Sequence, residues 1–298
     1  MSKQFDVLII GGGIGGLMSA YRLKKGNPSL QVAIYEKGKH VEDRKCPAQQ
    51  GKPCAHCGIC AITSGYAGAG AFSDGKFNLG TAYGGTLGDA LGEEVAMKYI
   101  KQVDEILHEH ADPEDYPKIY SSNEGLKRKC LQNNLRLLDM DVRHLGTDRN
   151  LLIMKALIRD LESLGVSLFS DVTVTNVKKV GASYTVETQE SSMNADAKKV
   201  IFAVGRGGVH LVTDFCQEND IPMKSNAVDI GVRVEMKDAI WTEFSSQIYE
   251  PKILCRTKTF EDKTRMFCFN KGGIVSAENN NGIITANGHA YSDDDKRT

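Results

Sequence analysis

Gly11, Gly13 and Gly16 stand at G-x-G-x-x-G spacing in the run Gly11-Gly12-Gly13-Ile14-Gly15-Gly16, directly after the apolar stretch Phe5 to Ile10. Gly11 suits a sharp turn out of a strand, and Gly13 lets backbone N–H groups approach a pyrophosphate. Gly16 permits close packing of a helix on that strand. Ile14 and Gly15 belong to the same cofactor-facing run, which leads into a helix whose positive end favours phosphates. Glu36 lies 20 residues beyond Gly16 and can accept hydrogen bonds from ribose hydroxyls. Strand, glycine turn, helix, second strand and acid fall in order, so the segment reads as a dinucleotide site. By itself it leaves FAD and a nicotinamide both open.

Two other groups of residues could do chemistry. Cys46, Cys54, Cys57 and Cys60 cluster in a polar excursion after the second strand. Cys-x2-Cys-x2-Cys with an outlying Cys-Pro is similar to part of an iron–sulfur ligand run. Four thiolates could equally hold zinc, a dithiol could pass electrons, or the thiols could simply be reduced and inert. Cys130, Cys216, Cys255 and Cys268 are scattered in apolar contexts and read as core. His144 and Arg233 are the candidate catalytic residues: an imidazole can serve as donor or base, and a guanidinium can clamp a carboxylate.

The elements that must position these residues follow from periodicity. Phe5 to Ile10 and Gln31 to Tyr35 read as buried strands flanking a helix from Leu17 to Lys25. Residues 89–111 and 122–138 read as helices, the first with Val95, Tyr99, Val103, Ile106 and Leu107 near helical spacing. Asp148 is placed to cap a third helix ending at Gly165. The pattern then changes to period two over Val166 to Phe169, Val172 to Val180 and Tyr184 to Thr188. Lys199 to Val204 is a further buried strand, running into Gly205-Arg206-Gly207-Gly208. From Ile230 the chain reads as strand-rich, with a hairpin turn at Asn281-Gly282.

Composition narrows the function classes. The 298 residues suffice for about two domains. A formal net charge of −1 gives no electrostatic footprint for nucleic acid or an anionic membrane. The apolar stretch at the N-terminus is too short for a signal-peptide core or a spanning helix, so the expected location is the cytoplasm and the cysteines are expected to be reduced.

The order of elements adds a distinction. A nicotinamide Rossmann half continues with regularly alternating strands and helices. Here a long irregular excursion follows the second strand, and a small antiparallel meander precedes the strand that ends at Gly205. This layout resembles FAD-binding domains of the glutathione-reductase type, and the pair Glu36-Lys37 suits them. Cys54-Ala-His-Cys57-Gly-Ile-Cys60, the run Ser64-Gly-Tyr-Ala-Gly68-Ala69-Gly70-Ala-Phe-Ser73-Asp74-Gly-Lys76, Val142-Arg-His144-Leu-Gly-Thr-Asp148 and Asp229-Ile-Gly-Val-Arg233-Val-Glu235 together resemble the bacterial family of uncharacterised FAD-dependent dehydrogenases. The resemblance runs along essentially the whole chain.

It implies an α/β architecture: a glutathione-reductase-type, Rossmann-like, three-layer FAD-binding domain from residues 1–80 and 148–215. A helical insertion over 81–147 and a strand-rich α+β substrate domain over 216–298 complete it. The implied function is an FAD-dependent oxidoreductase moving a hydride or electron pair between FAD and a small molecule, with a further electron donor or acceptor. Gly68, Ala69, Gly70 and Ser73 would line pyrophosphate and flavin, the Val172 backbone would approach the adenine, and Gly205 would lie beside the cofactor. A non-catalytic redox sensor built on the cysteine loop is the alternative, and a plain NAD-binding module a third. No second glycine fingerprint opens a helix after a strand, so no dedicated NAD(P)H domain is expected. The terminal strand and Gly-Asp element of such folds is missing too, which leads to the expectation of a chain truncated within its substrate domain.

Overall fold

The computed structural model describes residues 3–47, 52, 54–73, 75–114, 116–121, 123–225, 228–280 and 283–289. In chain order the first elements are β1 (Lys3–Ile10), α1 (Ile14–Gly26), β2 (Val32–Tyr35), β3 (Lys76–Asn78), α2 (Leu87–Leu91) and α3 (Glu93–Glu109). Next come β4 (Ile119–Tyr120), α4 (Glu124–Gln132), β5 (Arg136–Leu137), β6 (Val142–His144) and α5 (Thr147–Ser163). Strands β7 (Ser167–Phe169), β8 (Val174–Val180), β9 (Ser183–Thr188) and β10 (Ala195–Phe202) lead into α6 (Val209–Glu218). The chain finishes with α7 (Thr242–Ser245), β11 (Ile253–Arg256), β12 (Lys263–Arg265), β13 (Ile274–Asn280) and β14 (Ile283–His289).

Two compact units result. The first comprises residues 1–72, 154–231 and 279–283; the second comprises 73–153, 232–278 and 284–298. The first is built on a six-stranded sheet in the order β7-β2-β1-β10-β9-β8. Strands β7, β2, β1 and β10 run parallel, whereas β10, β9 and β8 form an antiparallel meander. A central parallel strand is covered on both faces, which is why β1 and β2 read as unbroken apolar runs. Leu8 and Ile10 join Ala33, Tyr35, Val177 and Val186 in one core. Ile9 and Ile34 are fully buried as well, as are Leu17 of α1 and Leu157 and Leu161 of α5. This is an α/β Rossmann-like unit of the FAD-binding type, accompanied by a separate strand-rich unit. The second unit contains the sheets β3-β6-β4 and β12-β11-β5. Its core gathers Leu126, Cys130, Leu137, Ile248 and Ile253.

Several expectations from periodicity are corrected. The helix expected over 89–111 is broken at Gly92, whose φ of 81° and ψ of 145° end α2 and start α3 in a backbone region that suits glycine. Ile106 and Leu107 are buried on α3, but Val95, Tyr99 and Val103 are exposed. The helix expected to Leu138 stops at Gln132, because Asn134 turns left-handed and Arg136–Leu137 pair with β11. Asp148 lies inside the first turn of α5, which starts at Thr147. Residues 228–236 alternate apolar and polar as a strand would, yet Ile230 and Val232 are exposed and join no sheet. Strands β13 and β14 pair as expected, while the Asn281-Gly282 turn between them lies outside the described residues. Of the cysteines read as core, Cys130 is buried, Cys216 and Cys255 are half-buried and Cys268 is exposed.

Candidate dinucleotide-binding site

The turn between β1 and α1 is built by close backbone approach. Gly11 takes a φ of 106°, and a Cβ there would stand 2.4 Å from the Ala203 carbonyl oxygen at the end of β10. A Cβ on Gly16 would lie 2.0 Å from the Gly11 carbonyl oxygen, so α1 could not seat on the turn with any side chain there. Gly13 is different. It caps α1 in an extended conformation, and an added Cβ would meet only the Cα of Gly68, at 3.9 Å. Packing within the protein therefore does not demand glycine at Gly13, whereas a ligand approaching the backbone would. The first turn of α1 carries no acidic residue and no side-chain cap, so its N–H groups face no competing carboxylate. Ile14 is partly exposed at the mouth of the turn, and Gly15 has nothing within 4 Å of an added Cβ.

Glu36 ends β2 and is only 7% exposed. Its Oε2 accepts from the Gly12 N–H at 2.8 Å, and its Oε1 accepts from the Gly38 and Gly65 N–H groups at 2.9 and 2.8 Å. Three amides thus fix the carboxylate, and Oε2, with one donor, keeps acceptor capacity for a hydroxyl. The Gly65 contact brings in the glycine-rich segment. Ala67 donates to the Gly12 carbonyl at 2.8 Å, and the Tyr66 ring covers Gly12 so closely that a Cβ there would meet it at 2.7 Å. The Tyr66 hydroxyl donates to the Ile34 carbonyl at 3.0 Å, and burial pushes its pKa well up. Gly68 consequently faces Gly13, and Ala69 and Gly70 follow in the short 3-10 turn Gly68–Phe72.

Arg44 secures this arrangement and was not singled out by its residue type or spacing. Its guanidinium donates to the carbonyls of Ala61 (2.9 Å), Ile62 (2.8 Å), Tyr66 (2.7 Å) and Gly68 (2.8 Å). The cation also lies over the Phe72 ring at 4.6 Å. Burial lowers its pKa to about 10, opposed by the charges of Glu36 and Cys60. No sequence period marks such a residue, because its partners are carbonyls that any residue type supplies.

The remaining candidates fall as follows. Lys37 donates to the Gly207 carbonyl at 3.3 Å, in the loop that starts at Gly205. Val172 donates its N–H to the Glu36 carbonyl at 2.9 Å, while its side chain joins the sheet core. Ser73 opens the second unit, its Oγ 3.5 Å from the Gly75 N–H; Asp74 lies outside the described residues. No group of three or more His, Cys, Asp or Glu among the described residues could hold a metal ion, so the iron–sulfur and zinc expectations for Cys46, Cys54, Cys57 and Cys60 find no support.

In the second unit, His144 stacks on Tyr249 with ring centroids 3.7 Å apart. Its Nε2 is buried without a hydrogen-bond partner. Burial, then the charges of Lys76 and Arg149, lower its pKa to about 3, so the ring is uncharged at neutral pH. Arg233 donates to the Cys268 carbonyl at 3.2 Å. Beside Tyr249 is a buried ionic cluster that sequence reading missed: Glu250 pairs with Lys76 at 2.6 Å and Lys252 at 2.7 Å. Lys76 is far in sequence from the other two, and only the folding of β3 beside the 249–252 segment brings it to them.

The fold and the turn define a Rossmann-like α/β unit. Residues 9–42 match a family described as NAD(P)-binding Rossmann-like domain. Over 107 residues, 36% of this chain, the sequence is 38% identical to dihydrolipoyl dehydrogenase from Cupriavidus necator, of which it covers 21%. Among solved structures, glycine oxidase from Geobacillus kaustophilus is similar with a TM-score of 0.43 and 16% identity, covering 71% of this chain and 58% of that one. L-alpha-glycerophosphate oxidase from Mycoplasma pneumoniae, solved with FAD bound, is similar with a TM-score of 0.41 and 17% identity, over 71% and 56%. The chain thus spans about a fifth of the curated relative and little more than half of these solved chains. No helix among the described residues is long and apolar enough to cross a membrane.

Proposed function

We propose that the protein is an FAD-dependent oxidoreductase of the dehydrogenase class, acting on a small molecule with a second electron donor or acceptor. The observation that carries this reading is the meeting of Gly13 and Gly68 over the open N-terminus of α1, with Glu36 tying both segments together. Gly13 has room for a phosphate where packing does not require glycine, and Oε2 of Glu36 retains acceptor capacity. The residues therefore fit the group. Gly11, Gly13, Ile14, Gly15 and Gly16 would hold the pyrophosphate, Glu36 the ribose, and Gly68, Ala69 and Gly70 the part of the cofactor beyond it. Ser73, Val172, Lys37 and Gly205 complete the proposed contacts. The antiparallel meander between β7 and β10 favours FAD over a nicotinamide, whose Rossmann halves alternate strands and helices.

Bound FAD supplies two-electron redox chemistry. The chain's part is to bind, orient and exclude water. His144, neutral at physiological pH, is proposed to offer a hydrogen bond to substrate rather than a charge, and Arg233 to pair with an anionic substrate group. The dihydrolipoyl dehydrogenase similarity supports a redox role for the nucleotide-binding part. The same turn could serve a nicotinamide, as the description of the matched family favours.

One experiment separates the two. Protein purified without oxygen is titrated with FAD and, separately, with NADH. Visible flavin bands displaced from free FAD, with saturable binding lost in Gly13→Val, are expected. Saturable NADH binding with no FAD binding would overturn the reading.

A further inference from the structure

The cysteine-bearing loop is mechanically tied to the dinucleotide turn, and the tie is one buried side chain. Cys60 directly precedes Ala61 and Ile62, whose carbonyls receive Nε and one terminal nitrogen of Arg44. The other terminal nitrogen reaches the Tyr66 and Gly68 carbonyls. Arg44 has no slack: a Cβ on Gly65 would meet its Cδ at 2.6 Å and Nε at 3.0 Å. Gly65 in turn donates to Glu36, and Gly68 faces Gly13. The Cys60 carbonyl is pinned by the Thr63 and Ser64 N–H groups at 3.1 and 2.9 Å. A change in the backbone at Cys60 therefore has a short, rigid route to the phosphate-facing turn.

The thiols themselves are accessible. Cys57 is exposed and Cys60 half-buried, and the chain bends at the intervening Gly58–Ile59. Two residues separate them, the Cys-x-x-Cys spacing found in dithiols that close a disulfide. We propose that Cys57 and Cys60 are a modification site for small-molecule disulfides, and that their oxidation to an intramolecular disulfide resets dinucleotide affinity through Arg44. The exchange balances. The Cys57 or Cys60 thiolate attacks the small disulfide and releases one thiol; the second cysteine attacks the mixed disulfide and releases the other. One S–S bond is made and one broken, the protein thiols lose two electrons and two protons, and the small disulfide is reduced to two thiols. The affinity effect rests on the dinucleotide reading of Gly11 to Gly16; the route through Arg44 does not.

The test uses the full chain, reduced or treated with oxidised glutathione, with the linkage mapped by peptide mass. Amide exchange over Gly65–Phe72 is then followed in both states, along with FAD affinity. A Cys57–Cys60 linkage, altered exchange at Gly65–Phe72 and at least a roughly fivefold change in FAD Kd are expected. The Cys57→Ser/Cys60→Ser double variant should bind FAD as the reduced protein does and ignore oxidant. Arg44→Lys should form the linkage without the exchange change. A linkage that leaves exchange unaltered overturns the proposal, as does stable mixed-disulfide formation in place of the linkage. If neither state binds FAD, the dinucleotide reading fails, and exchange still decides the coupling.

Discussion

Glu36 holds together two segments 53 residues apart, since the same carboxylate accepts from Gly12 and Gly65. Glu36→Ala would leave three amide donors without their acceptor, so a loss of about 3 kcal/mol is expected, at about 1 kcal/mol for each buried bond. Urea unfolding measures it, and a loss under half that size would mean water replaces the carboxylate. His144 carries a prediction of the opposite kind. Its folded pKa of about 3 lies below the ordinary 6.5, so the unfolded chain binds its proton first on acidification. Its contribution is intact above pH 6.5 and is lost as pH falls toward 3, by at most about 1.4 kcal/mol per pH unit. His144→Asn should flatten that slope between pH 6 and 4 in denaturation curves; an unchanged slope would count against the buried neutral ring.

At the scale of elements, α1 depends on Gly16 for its seat on β1. Gly16→Ala is expected to cost about 3 kcal/mol through overpacking against the Gly11 carbonyl. It should also weaken dinucleotide binding, which calorimetry would read; binding at the original affinity would show that the turn can relax. Gly92→Ala, at a φ and ψ few other residues adopt, should cost about 1–3 kcal/mol with no effect on binding. The β1–α1–β2 unit was legible in the sequence because strand, glycine turn, helix and acid are local and their physical demands are stringent. The break at Gly92 was less legible, since the apolar spacing of Val95, Tyr99 and Val103 resembles a buried stripe and those residues are in fact exposed. Residues 228–236 show the same limit. Alternation records what a strand could bury and not whether a neighbour is there to pair with it.

For the whole molecule, the first unit carries the nucleotide turn and the second the buried Lys76–Glu250–Lys252 cluster. A ligand that binds only the folded state adds about 2.7 kcal/mol at a hundred times its Kd. Amide-exchange protection by FAD should therefore concentrate on the β1–α1 turn and Gly65–Phe72. Protection confined to the second unit would place the site elsewhere. The sequence by itself determined that a tight strand–glycine–helix turn exists and which glycines shape it, because close approach and left-handed backbone leave few other choices. It could not determine that Gly68 would face Gly13 or that Arg44 would gather four carbonyls. Those outcomes depend on backbone groups that every residue carries and on where the excursion folds back, and only tertiary packing decides that.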